Sequence, residues 1–173
     1  MNPVLENMYS RRSVRKFRPD LPPAELLHQV AEAGTYAASG RGRQSPIILE
    51  ITDKKTRDLL SKVNAEIMGV SSDPFYGAPA VLVVLADRSV PTCLYDGSLV
   101  MGNLMLAAHA LGLGSCWIHR AKETFEREEG RALLRSLGIE GNFEGIGNCI
   151  LGYAAGPAPE AAPRKQPYIY RIG

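Results

Sequence analysis

The chain has 173 residues, 45% of them apolar and 22% charged, a size and composition that suit one domain with its own core. A formal charge of +2 is too mild for a surface that coats nucleic acid, so no nucleic-acid partner is expected. The N-terminus is polar and charged where a signal peptide would be apolar, and no apolar run is long enough to span a bilayer; a cytoplasmic protein without membrane contact is expected.

In chain order, the first feature is Arg11, Arg12, Ser13, Val14, Arg15, Lys16, Phe17, Arg18, five cations in eight residues with no acid between them. Such a run is often only a solvated face. Here a second basic segment, Ala38 to Pro46, carries Ser39, Gly40, Arg41, Gly42, Arg43 and Gln44, and a third, Arg164 and Lys165, follows the Pro/Ala-rich run Gly156 to Pro163. Three basic segments far apart in sequence can converge on one phosphate, and the small residues of the second let backbone donors approach it.

Between these segments, Leu21, Pro22 and Pro23 introduce a helix over Ala24 to Ala38 with an apolar stripe at Leu26, Leu27, Val30, Ala31, Ala33 and Ala37. Ile47 to Thr52 reads as a strand, and Asp53 caps a helix running to about Met68. Ala80 to Ala86 is a continuous apolar strand of the kind buried on both faces. Asp96, Gly97 and Ser98 open a helix whose stretch from Leu99 to Leu111 is apolar on nearly every side. A monomer this small covers such a helix with difficulty, so part of it is expected to meet a second copy of the chain. Gly112 to Ile118 leads into a strand, Thr124 to Leu137 reads as an amphipathic helix ending at Gly138, and Ile146 to Tyr153 as a last strand. The pattern is an α/β mixture without repeats, one domain over residues 1–173 with an extended tail from residue 156.

Neither Gly112 with Gly114 nor Gly145 with Gly147 forms the Gly-x-Gly-x-x-Gly of a dinucleotide site; both read as turn glycines ahead of strands. Cys93, Cys116 and Cys149 are odd in number and widely spaced, and His28, His109 and His119 show no ligand spacing, so buried reduced thiols and no metal are expected.

The order of these motifs over nearly the whole chain resembles the FMN-dependent nitroreductases. Arg11 to Phe17 looks like that family's phosphate-binding signature and Ala38 to Pro46 like its second flavin loop. Tyr76 to Ala80, Asp96 to Ser98, Gly112 to Ile118, Leu151 to Ala154 and Pro163 to Lys165 continue the likeness. The resemblance implies an α+β three-layer sandwich, a mostly antiparallel sheet flanked by helices, assembled as a homodimer. It further implies that Arg11, Arg12 and Ser13, with Arg164 or Lys165, hold the phosphate of FMN and that Arg15 lies near the N1 and O2 edge of the ring. Ser39, Gly40 and Gln44 would come from the other subunit, and Trp117, Ile118 and His119 would pass the flavin and offer a backbone N–H to N5. Trp117 reads equally well as a core or interface aromatic, and the His119 side chain has no assigned role.

The implied activity is NAD(P)H oxidation coupled by a ping-pong cycle to an electron-poor acceptor such as a nitroaromatic, quinone or enone. One departure, Ile47 where the family often has an aromatic after the loop glutamine and proline, leaves a specialised reaction open: dehalogenation, desaturation or flavin breakdown. A non-catalytic module gripping a nucleotide or RNA phosphate is the alternative from another class, weakened by the scarcity of aromatics beside the cations.

Overall fold

Ala80–Asp87 is the strand around which the molecule is built. In the computed structural model, which describes residues 2–173, the elements follow in the order α1 (Pro3–Ser10), α2 (Ala24–Thr35), a 3-10 turn (Gly40–Gly42), β1 (Pro46–Ile51), α3 (Lys54–Met68), β2 (Ala80–Asp87), α4 (Cys93–Ala110), β3 (Gly114–Ile118), α5 (Ala121–Glu126), α6 (Glu128–Ser136) and β4 (Phe143–Gly152). The sheet order is β1-β2-β4-β3, and every neighbouring pair is antiparallel. Alternation along β2 sends Leu82, Val84 and Ala86 to one face, where Leu27 and Val30 of α2 and Leu104 of α4 meet them. Val81, Val83 and Leu85 meet Leu60 of α3, Phe75 and Phe125 of α5 on the other. Each of these Val and Leu side chains contributes roughly 1.5–3 kcal/mol by leaving water. The result is the expected α+β three-layer sandwich.

Several local expectations hold for the predicted reasons. Asp53 caps α3 by accepting from the Thr56 amide at 2.8 Å, and Pro23 starts α2. Others need correction. The helix predicted to run to Ala38 ends at Thr35. The predicted helix over Thr124 to Leu137 is two helices, α5 and α6, broken at Arg127 with φ −86° and ψ 164°. The break lets α6 fold back so tightly that a Cβ on Gly130 would sit 2.5 Å from the Thr124 carbonyl oxygen. Gly145 and Gly147 do not precede a strand but lie inside β4, on either side of a bulge where Val84 pairs with Gly147 and Leu85 with Gly145. Asp96 does not open α4, which begins at Cys93. The sequence reading missed α1 altogether, although Asn2 before Pro3 is a start signal: the Asn2 side chain accepts from the Val4 amide at 2.9 Å.

The loop leading into β2 is fixed from below by Arg57, whose Nε donates to the Ala78 carbonyl at 2.9 Å and whose Nη2 meets Asp73 at 2.7 Å. Residues beyond Gly156 form neither helix nor strand and are exposed throughout. Among the described residues no helix is long and apolar enough to cross a membrane.

The bulge glycine gives a direct test of this packing. A Cβ at Gly145 would lie 2.3 Å from the Ala121 carbonyl carbon and oxygen, backbone atoms with no rotamer to move. Gly145→Ala is expected to destabilise the fold by about 2–3 kcal/mol, at the upper end for overpacking, read as a lower midpoint in urea unfolding.

Candidate functional site

The basic segment is neither helical nor loose. Arg11 ends α1, its amide donating to the Asn7 carbonyl at 3.1 Å, and the chain then runs extended beside the sheet. The Val14 amide donates to the Ser115 carbonyl at 2.9 Å, the Arg18 amide to Tyr153 at 2.9 Å, and the Ala155 amide to Lys16 at 3.0 Å. Ser13 therefore pairs with Ser115 at the start of β3 and Phe17 with Ala154 just beyond β4. Val14 packs on Gly114, where a Cβ would come within 2.9 Å of it. This clamp leaves Arg15 exposed on a hollow of about 390 Å³ that it lines with Ser13, Lys16, Ala154, Gly156 and Pro157.

Charge is left uncompensated there. Arg18 pairs with Asp20, but among the described residues no carboxylate forms an ion pair with Arg11, Arg12, Arg15 or Lys16. Arg11 Nη1 is buried and has no hydrogen-bond partner. Arg12 differs, because its Nη1 donates to the carbonyls of Tyr9 at 2.6 Å and Arg11 at 2.7 Å and so closes the end of α1. Next to both arginines sits His109 on α4, with Nε2 2.8 Å from the Ser10 hydroxyl. That hydroxyl spends its proton on the Glu6 carbonyl, so the imidazole is the donor. Burial, then the charges of Arg11 and Arg12, hold the His109 pKa below its usual value.

The second basic segment forms a tight loop next to α4. Arg41 and Gln44 adopt left-handed φ of 55° and 50°, and Gly42 one of 65°. The Ser39 hydroxyl accepts from the Gln44 amide at 3.1 Å, and the Gly40 amide donates to Asp96 Oδ1 at 2.9 Å. Ser39 and Gln44 line the mouth of a cleft of about 420 Å³ between α2 and β1, floored by Ala31, Ile48 and Val100. The third predicted group lies at the end of β3. Trp117 is half-buried against Gly147, Ile118 is buried, and the His119 ring is exposed. The His119 carbonyl accepts from the side chains of Asn64 at 2.7 Å and Asn148 at 3.4 Å, and Arg120 follows with φ 73°.

Within one chain the structure thus joins Ser13 to β3, two residues before Trp117, while the Ser39–Gln44 loop is held separately by α4. Arg164 and Lys165 are not brought to Arg11: the Arg164 guanidinium turns back to the Ala162 carbonyl, and Lys165 lies 5.3 Å from the Tyr168 ring centre. Asp96, His109, Asn64 and Asn148 were not read as site residues. A lone acid in an apolar helix was a usable signal for Asp96; the two asparagines carried none. The cysteines are all buried and free, and burial pushes the Cys149 thiol up to about 12, which leaves it unreactive.

Comparison with known proteins agrees on one family. The sequence model of the Nitroreductase family matches residues 8–153. A protein of Archaeoglobus fulgidus named as an NADH dehydrogenase/NAD(P)H nitroreductase is 30% identical over 159 residues, 88% of this chain and 86% of its own. A protein of the same description from Methanothermobacter thermautotrophicus is 27% identical over 118 residues, 66% of this chain but only 59% of that relative's length. Among solved structures, a nitroreductase with bound FMN from Bacteroides fragilis superposes with a TM-score of 0.90 at 28% identity, covering 100% of both chains.

The His109 environment yields a pH prediction. Because its folded pKa lies below the unfolded value, folding favours the neutral ring; the stability this contributes is complete above the unfolded pKa, near 6.5, and is lost as pH falls through the folded one. In an NMR titration Arg11→Gln is expected to move the His109 midpoint upward toward 6.5, since a neighbouring cation is removed while the burial remains.

Proposed function

The chain belongs to the nitroreductase family, and from that membership we propose that it is an FMN-dependent oxidoreductase that takes reducing equivalents from NAD(P)H and delivers them to a small electron-poor acceptor, a nitroaromatic or a quinone. The observation that carries this reading is the buried, unpartnered Arg11 Nη1 beside a clamped run of cations without acids. A buried guanidinium nitrogen with no acceptor is costly, and a phosphate monoester supplies both the charge and the oxygens it lacks. The cofactor is FMN, whose ring supplies hydride chemistry when bound.

The chain's own residues then divide the work. Arg11 and Ser13 suit the phosphate, and Arg164 or Lys165 of the exposed C-terminal tail would complete its shell once turned away from Ala162 and Tyr168. Arg15 lines the hollow from the extended segment and would offer a cation where the reduced ring gathers negative charge, which favours reduction. The peptide at Ile118–His119, gripped by Asn64 and Asn148, presents its backbone in one orientation. Nicotinamide and acceptor would occupy the ring face in turn, consistent with the lack of any glycine motif for a resident dinucleotide.

We further read the assembly as one FMN-binding domain per chain in a homodimer. α4 leaves Leu94, Tyr95 and Leu99 exposed, and α1 leaves Val4, Leu5, Met8 and Tyr9 exposed, an apolar surface a solitary chain would present to water. The interface is expected to be of obligate size, on the order of 2,000 Å² in total.

Two measurements test this. Purified protein soaked with FMN should retain flavin absorbance, bleach anaerobically with NADH or NADPH, and recover colour when a nitroaromatic or quinone is added; a protein that stays colourless ends the proposal. Arg11→Ala should weaken FMN binding roughly ten- to hundred-fold through loss of a charge-assisted contact, whereas Arg12→Ala should do so less, since its Nη1 is already spent on α1. Light scattering should give about twice the chain mass of 18.8 kDa.

A further inference from the structure

One buried carboxylate holds the Ser39–Ser45 loop at both ends. Asp96 is 2% exposed. Its Oδ1 accepts from the Gly40 amide at 2.9 Å, and its Oδ2 from the hydroxyls of Ser45 at 2.8 Å and Thr92 at 3.1 Å. Burial pushes this carboxyl up, and the three donors more than offset it, so the group stays below the ordinary carboxylate value. Four lone-pair sites make a carboxylate the side chain that can serve three donors arriving from two segments at once.

The loop needs such an anchor. Between Gly40 and Ser45 the backbone passes through left-handed conformations at Arg41, Gly42 and Gln44, which non-glycine residues keep only where their surroundings over-determine them. Inside the loop the available bonds are those from the Gly42, Arg43 and Gln44 amides to Ser39 and Gly40; the side chains of Arg41, Arg43 and Gln44 are exposed and hold nothing in place. Gly40 is pressed so close to Thr92 that a Cβ would lie 2.3 Å from its Oγ1. The carboxylate, Thr92 and the glycine therefore form one joint between the loop and the first turn of α4, whose neighbouring Tyr95 and Leu99 belong to the exposed apolar surface.

We propose that Asp96 is a positioning residue for the cofactor: it fixes the loop so that Ser39, Gly40 and Gln44 are presented to the flavin, and it ties that presentation to α4. The assignment rests on the flavin reading of this loop. It concerns a residue that touches no ligand and acts through Gly40 and Ser45.

The test compares the parent with Asp96→Ala, Asp96→Asn and Ser45→Ala, measuring FMN affinity by fluorescence quenching, the visible circular dichroism of bound flavin, and the mass in solution. Asp96→Ala should weaken FMN binding about ten-fold or more and alter the flavin dichroism while the protein stays folded at the parent's mass. Asp96→Asn should recover most of the loss, because its carbonyl still accepts from Gly40 and its amide donates to the hydroxyls. Ser45→Ala should fall between. A folded Asp96→Ala that binds FMN within about two-fold of the parent, with the same dichroism, overturns the assignment alone. Should Asp96→Ala not fold, Ser45→Ala decides by the same two readouts. A parent that binds no FMN overturns the flavin reading itself and the assignment with it.

Discussion

Keeping a run of like charges together without acids is the constraint on which the site depends. Arg11, Arg12, Arg15 and Lys16 repel one another, and an unrestrained segment would relax by swinging them apart into solvent. The chain prevents this with backbone bonds: Val14 to Ser115, Arg18 to Tyr153 and Ala155 to Lys16 pin the segment across the ends of β3 and β4. Because those strand ends are set by β2, packed on both faces, the cost of holding the cations is met by the core. An anion arriving there recovers electrostatic energy without the cost of ordering the backbone that carries the cations, which is a form of preorganisation.

A second element is held differently. The Ser39–Gln44 loop joins the sheet at Ser45, whose carbonyl accepts from the Asp87 amide at 3.0 Å, and is held to α4 by one carboxylate and by Thr92 packed on Gly40. The same helix turns Leu94, Tyr95 and Leu99 outward. Whatever packs on that surface therefore bears on a helix that also carries the loop. Asp96 is thus the contact through which the position of α4 reaches the loop.

Much of this was legible in the sequence where composition alone decides structure. The apolar run at Ala80 reads as a doubly covered strand and Asp53 as a cap, and both are found so. The resemblance carried by Arg11 to Phe17 and by Ala38 to Pro46 led to the right family. Legibility ended where one residue's role depends on a distant partner. Gly145 reads as a turn glycine until Ala121 is seen against it, and Gly130 as an ordinary helix residue until α6 is found folded onto α5. Asp96 looked like a helix start because Thr92, Ser45 and Gly40 are 4, 51 and 56 residues away from it. Asn64 and Asn148 have no local signature, since one polar residue in an amphipathic helix and one inside a strand do not announce that both point at one carbonyl.

That carbonyl illustrates a constraint placed on the backbone and not on a side chain. The His119 side chain has no assigned role, its ring is exposed, and only its backbone is constrained: two buried amides grip its oxygen, and Arg120 is turned into the left-handed region beside it. Both amide oxygens, Asn64 Oδ1 and Asn148 Oδ1, are buried without a partner. Such groups weaken the fold. On the proposed flavin reading, retaining two of them to aim one peptide makes sense because the peptide itself would be the functional group, orienting a cofactor that carries the reactive atoms. A site of this kind needs no triad and leaves no spacing of catalytic side chains to find; what it requires is a rigid backbone, and the buried asparagines, the bulge at Ile146 and the clamp on Val14 are the devices that supply one.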